Sequence, residues 1–191
     1  MRDALLKRLL DPGALVVFDG AMGTMIYARG VFINQCYDEL SVRAPDLIRG
    51  IHEEYVKAGA EVIETNTFGA NRVKLEQHGL SGDVHSINLA AARLAREAAG
   101  DAVLVAGAVG PLGIRLEPYG PTSRDDARML FAEQMRALRE GGADLFILET
   151  FSDLDELTQA IAAAREVDEA MPVVAQVAIN ADGVTAYGAT P

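Results

Sequence analysis

The chain has 191 residues, half of them hydrophobic, and carries 28 Asp and Glu against 17 Lys and Arg for a formal net charge of −11. That length and apolar share suit one domain with a substantial core. The acidic balance argues against a surface built to neutralise phosphates, so neither nucleic acid nor an anionic membrane is expected as a partner.

The segment Met1–Leu10 alternates charge with leucine and lacks the unbroken apolar run of a signal peptide. It predicts a short amphipathic helix covering one end of the core. No apolar run approaches the roughly 20 residues of a membrane helix. One cysteine, Cys36, excludes an intrachain disulfide, and the plain reading is a cytoplasmic protein.

A first strand is predicted at Leu15–Phe18, apolar throughout as if buried on both faces, and it opens onto Asp19-Gly-Ala-Met-Gly-Thr24. Pro45 suits the first turn of a helix whose buried face is Leu47, Ile48, Ile51, Tyr55 and Val56, stopped by Gly59. A second strand follows over Val62–Thr67. The next helix carries Ile87, Ala91, Leu94 and Ala98 on one face and ends at Gly100; a third strand covers Val103–Val109 and halts at Gly110-Pro111. After a longer loop, Leu112–Pro121, Ser123 with Asp126 predicts a capped helix bearing Phe131, Met135 and Leu138. A fourth strand spans Leu145–Glu149. Ser152 is expected to cap the following helix, which has Ile161 on its apolar side, and a fifth strand covers Val173–Ile179 before a polar tail from Asn180 to Pro191.

Five strands joined by crossovers long enough for parallel pairing define an α/β fold. The pattern fits either an open doubly wound sheet or part of a (β/α)₈ barrel, whose full form takes about 250 residues. An internal repeat supports the β/α reading: Gly59–Phe68 aligns without a gap on Gly142–Phe151, and Gly, Ala, Thr and Phe are identical. Each copy reads as a glycine stop, an acid, a buried strand and a polar exit. In such folds the chemistry gathers where strands end.

Asp19 sits at the exit of the first strand beside Gly20 and Gly23, whose amides can approach an anion. Such a pair suits a zwitterion, the carboxylate taking an ammonium and the loop a carboxylate; a tight turn capped by Asp19 fits equally. In the repeat Glu149 falls opposite Asn66, and alternation puts Ile147 with Glu149 and Glu64 with Asn66 on matching faces. Asp19, Asn66 and Glu149 are therefore expected to converge from three strands. The alternative for Glu149 is a helix-capping or salt-bridged acid. Glu64, deeper on the same face, would need a buried partner that the sequence does not name.

No metal site is legible. His52, His78 and His85 lack the close spacing of convergent ligands, and His52 reads as a partly exposed helix residue. Cys36 reads as packing rather than as a nucleophile.

Four motifs in order, Asp19-Gly-Ala-Met-Gly-Thr24, Glu64-Thr-Asn-Thr-Phe-Gly-Ala70, Val109-Gly-Pro-Leu-Gly113 and Glu149-Thr-Phe-Ser-Asp153, resemble those of the homocysteine S-methyltransferase domain. The stretch Ala28–Leu40 is most similar to bacterial bifunctional proteins that fuse this domain to a methylenetetrahydrofolate reductase. The resemblance implies a (β/α)₈ barrel, of which about five of eight units fit in residues 1–191. It implies an enzyme that binds homocysteine and methylates its thiol to give methionine. Asp19 and Glu149 would hold the amino group, the amides around Gly20 and Ala21 the carboxylate, and Asn66 would lie near the sulfur. It also implies zinc, held in the family by one cysteine after the sixth strand and a pair after the eighth; all three would fall beyond Pro191, and Cys36 matches none of them.

The methyl donor stays open among methylfolate through cobalamin, S-methylmethionine and betaine, and a methylenetetrahydrofolate reductase domain is the implied partner. The first expectation is thus the N-terminal, amino-acid-binding part of a zinc-dependent methyltransferase, inactive as 191 residues alone. The alternatives are a non-catalytic homocysteine-binding or assembly fragment, and an unrelated enzyme on an open sheet using Asp19 or Glu149 as acid or base.

Overall fold

The computed structural model describes residues 2–190. Among these residues eight α-helices and four strands follow one another: α1 (Arg2–Leu9), α2 (Met22–Ala28), α3 (Leu40–Arg43), α4 (Pro45–Ala58), β1 (Val62–Glu64), α5 (Arg72–Glu76), α6 (Val84–Ala99), β2 (Leu104–Val109), α7 (Arg124–Glu140), β3 (Leu145–Phe151), α8 (Leu154–Val167) and β4 (Val173–Val177). All pairings are parallel, and the spatial order is β1-β2-β3-β4. A doubly wound sheet reverses its order at a switch point. This one does not, so the winding is that of a barrel wall.

The two faces confirm it. On one, Ile63 and Val105 pack against α6, while Phe146 and Leu148 meet Phe131, Met135 and Leu138 of α7 and Leu157, Ala160 and Ala164 of α8. On the other, Val62, Leu104, Ala106, Leu145 and Ile147 form an aliphatic layer closed from below by Leu5 of α1. That layer is the barrel interior, and α1 is the cover that the leucine pattern predicts.

The predicted first strand is corrected. Residues 15–18 run parallel to β1, with the amides of Glu61 and Val62 donating to Val17 O at 2.8 and 3.2 Å, but only Phe18 forms a bridge, to Val62. Nor is the run buried on both faces: Leu15 is 80% and Val17 48% exposed. Only the inward pair, Val16 and Phe18, packs on the core, because among the described residues no strand or helix covers the other side.

Local chemistry sets the element ends. Gly59 and Gly142, equivalent in the repeat, take φ of 105° and 102°, the left-handed conformation that closes a helix at little cost. The acids after them are equivalent too: Glu61 Oε2 accepts the amide of Val17 at 3.1 Å, and Asp144 Oδ2 accepts that of Val105 at 2.8 Å. Each acid thus ties its strand to the preceding one and is neutralised by arginine, Arg8 for Glu61 and Arg96 for Asp144. Ser123 caps α7 as predicted, accepting from the Asp126 amide. The cap of α8 is Asp153, not Ser152: its Oδ1 accepts from the Asp155 amide at 2.9 Å.

Candidate functional site

A cavity of about 710 Å³ opens at the carboxyl ends of the strands. Asp19, Gly20, Ala21, Asn66 and Glu149 all line it, together with Glu64, Asp38, Lys74 and Phe68. The convergence expected from the repeat is therefore present.

Gly20 is a glycine because of a close approach: a Cβ there would lie 3.1 Å from the Tyr55 hydroxyl, which donates to Ala21 O at 3.2 Å. The following backbone differs from the expected loop. Gly23 lies inside α2, and neither it nor Gly20 has a positive φ, so no left-handed anion nest forms. What stands at the cavity wall instead is the start of α2. Ala21 is its N-cap residue and makes no side-chain capping bond, which leaves first-turn amides to other partners.

Asp19 Oδ2 accepts the backbone amide of Glu64 at 3.0 Å. The capping role considered for Asp19 thus exists, but it reaches across to the neighbouring strand rather than closing its own turn. Burial pushes the Asp19 carboxyl up to about 6, against the pull of that hydrogen bond and with added repulsion from Glu149. Glu64, on the inner face of β1, is raised further, to about 8, by burial and then by Glu149 and Asp19. Among the described residues it has no buried partner; the acid stays protonated instead.

Glu149 also lies above the usual carboxylate range through burial, with the Lys74 charge pulling the other way. It caps no helix. Its backbone setting is unusual: Thr150 has φ of 63°, and the β3–β4 register shifts between Leu148 and Phe151. A β-branched residue at positive φ is held there only against strain. The kink turns the end of β3 at the point where its acid meets the cavity.

Asn66 is 7% exposed, and its Nδ2 donates to Tyr37 O at 2.7 Å. Its amide nitrogen thus anchors the segment before α3, and Oδ1 is the group it can offer to the cavity. The repeat ends here: Thr67 is buried and donates to Ala108 O, whereas Thr150 is exposed, and Phe151 packs on Phe131 while Phe68 lines the cavity.

Two lining residues were missed by sequence reasoning. Lys74 comes from α5, a five-residue helix too short for periodicity to show, and its Nζ sits 4.3 Å from the Phe68 ring centroid. Burial lowers its pKa against the charges of Asp38, Glu156 and Glu149. Asp38 is partly buried and raised by desolvation, and it accepts the Gly69 amide at 2.9 Å. It stands beside Glu39 in a mixed polar and apolar loop, and nothing in the sequence set it apart.

His52 corrects another expectation. It is fully buried, neither ring nitrogen has a partner, and burial lowers its pKa to about 4. It shares the buried side of α4 with Ile48 and Ile51. Cys36 is buried with Sγ 3.8 Å from Asp38 Oδ2, and burial pushes its thiol up. A raised thiol is a poor metal ligand. Among the described residues no three His, Cys, Asp or Glu are grouped to hold a metal ion, so the residues present do not fit the zinc that the resemblance implies. No helix among them is long and apolar enough to cross a membrane.

Comparison with known proteins adds three findings. A family model described as homocysteine S-methyltransferase matches residues 16–191. Methionine synthase of Mycobacterium tuberculosis (strain ATCC 25618 / H37Rv) is 30% identical over 190 residues, which cover 91% of this chain and 16% of that protein, and the Mycobacterium leprae (strain TN) methionine synthase is 28% identical over the same shares. The chain thus spans about a sixth of the length of these curated relatives. Crystal structures of the homocysteine methyltransferase MmuM from Escherichia coli, oxidized and metallated, superpose with a TM-score of 0.82 at 26% identity; each match covers 97% of this chain, and 69% and 70% of the respective MmuM chains.

Proposed function

Because the chain belongs to the homocysteine S-methyltransferase family, we propose that its cavity binds homocysteine for transfer of a methyl group to the thiol, giving methionine. The thiol gives up a proton and its sulfur takes the methyl group from the donor. What these residues contribute is the grip on the amino-acid end. Asp19 and Glu149 take the ammonium, and the uncapped start of α2 at Gly20 and Ala21 takes the carboxylate. Asn66 offers its Oδ1 on the side of α3.

The observation that carries this reading is electrostatic. Asp19, Glu64 and Glu149 crowd one cavity from three segments, and each is raised by burial. Such a cluster is stabilised by a cation that enters with it. Beside it stands a helix start with amides to spare, and an α-amino acid presents those two charges a few ångströms apart. Tethering that end restricts where the sulfur can go, which is the entropic part of catalysis.

Titration calorimetry tests the reading with L-homocysteine and its deaminated analogue 4-mercaptobutanoate. Binding of the first and not the second is expected, and Glu149→Gln should weaken L-homocysteine by roughly tenfold or more, the worth of a charge-assisted hydrogen bond. Equal binding of both ligands would remove the ammonium site.

A further inference from the structure

We propose that Glu64 is a third acceptor for the ligand's ammonium, and that it releases its proton to solvent as the ammonium enters. The inference rests on the proposed binding of an amino acid in this cavity and assigns a residue to which the resemblance gives no role.

The geometry has three parts. Glu64 ends β1 on the inner face and lines the same cavity as Asp19 and Glu149. Its backbone amide is engaged by Asp19, but among the described residues no group hydrogen-bonds its carboxyl. Among the described residues, the charges acting on that carboxyl are those of the acids Glu149 and Asp19.

Other titratable groups face the cluster from every side. Lys74 of α5 acts on Glu149, Asp38 lies beside Lys74, and Tyr55 of α4 lies against Asp19. From β2, the interior residues Ala106 and Ala108 add no charge. Glu64 therefore meets repulsion without a counter-charge, and keeping its proton is the cheaper state.

An ammonium changes that balance. It carries three N–H donors diverging from one nitrogen, and the three acids come from three separate segments of the wall. With Asp19 already giving Oδ2 to the Glu64 amide, the carboxyls of Glu64 and Glu149 are, among the described residues, the acceptors not yet committed. The charges balance simply: the ammonium keeps its three protons, Glu64 loses one to buffer, and a positive charge replaces a neutralising proton.

The test is calorimetry of the full chain with L-methionine, which has the same ammonium and carboxylate and no thiol to ionise. Repeating the titration near pH 7.5 in buffers of different ionisation enthalpy counts the protons exchanged. On the order of one proton should be released per ligand. Glu64→Gln should still bind, roughly tenfold more weakly, with most of that release gone. Should the variant fail to fold, as judged by circular dichroism, the wild-type pH profile takes its place: release must fade above about pH 8, where Glu64 is already ionised.

Binding without proton release, or equal release by Glu64→Gln, overturns this assignment and leaves the amino-acid site standing. No binding of L-methionine or L-homocysteine by the wild type overturns both.

Discussion

Asp19 and Glu64 are joined through one backbone contact and opposed through their charges: Asp19 Oδ2 accepts the Glu64 amide at 3.0 Å, and the two carboxyls repel across the cavity. The contact fixes the exit of β1 against the chain that precedes it. Burial first, then the charges of Glu149 and Asp19, keeps Glu64 protonated. One aspartate therefore builds the site and adds to the field that sets its charge.

Asp19→Ala and Asp19→Asn separate these two tasks. Alanine leaves the Glu64 amide without its acceptor and should cost about 1–3 kcal/mol in urea denaturation, whereas asparagine keeps a carbonyl oxygen and should cost less than about 1 kcal/mol. Both should weaken binding of L-homocysteine by calorimetry. Equal destabilisation by the two substitutions would show that the charge, not the hydrogen bond, holds β1.

Stability of the empty protein should fall as pH rises from 6.5 to 8.5. A carboxyl whose folded pKa is raised holds a proton that the unfolded chain has already lost, so its contribution is present at low pH and disappears through the folded value. Glu156, raised to about 7 by burial, and Glu64, raised to about 8, both titrate in this window. His52 acts in the opposite sense but only below its ordinary value near 6.5. Melting temperature against pH should therefore decline, and Glu64→Gln should flatten the upper part of the slope. A flat wild-type profile would contradict the assignment.

Replacing His52 with leucine should stabilise the protein on the acid side. The unfolded chain binds a proton at His52 as pH falls below 6.5, while the buried ring resists until about 4, so acid favours unfolding. Leucine removes that linkage and two unpartnered ring nitrogens. In urea denaturation the gain should be about 2 kcal/mol larger at pH 5 than at pH 7.5.

Gly110→Ala should damage the cavity from outside it. A Cβ at Gly110 would lie 2.5 Å from Phe68 Cε2 and 2.6 Å from the Phe68 backbone oxygen, so the ring and its strand exit must move. Overpacking of this kind costs typically 1–3 kcal/mol. Phe68 carries Lys74 over its ring, so the variant should also lose affinity for L-homocysteine. Unchanged stability in urea denaturation would show that the contact relaxes freely.

The repeat between residues 59–68 and 142–151 made much of the site legible. It placed Glu149 and Asn66 at matching strand exits, and both line the cavity. It also anticipated the paired glycine stops, and the acids that follow them prove equivalent in bonding to the preceding strand. It failed at Phe68 and Phe151, which leave their strands into different surroundings: Phe151 packs on Phe131 of α7, while Phe68 lines the open cavity.

Local pattern could carry the strands, helices and caps because those depend on periodicity and on glycine, proline and short polar side chains within a few residues. The amino-acid sequence alone thus determined a parallel α/β fold, its family and the acids at the strand exits. Tertiary structure decided the rest. Whether the sheet winds once or twice depends on which strands lie side by side, and whether Val17 is buried depends on what covers it. That Lys74 reaches the cavity from a five-residue helix and that His52 is sealed follow from how distant segments pack, and that Glu64 keeps its proton follows from the desolvation this packing imposes. Desolvation is summed over neighbours distant in the chain, and no window of adjacent residues contains it.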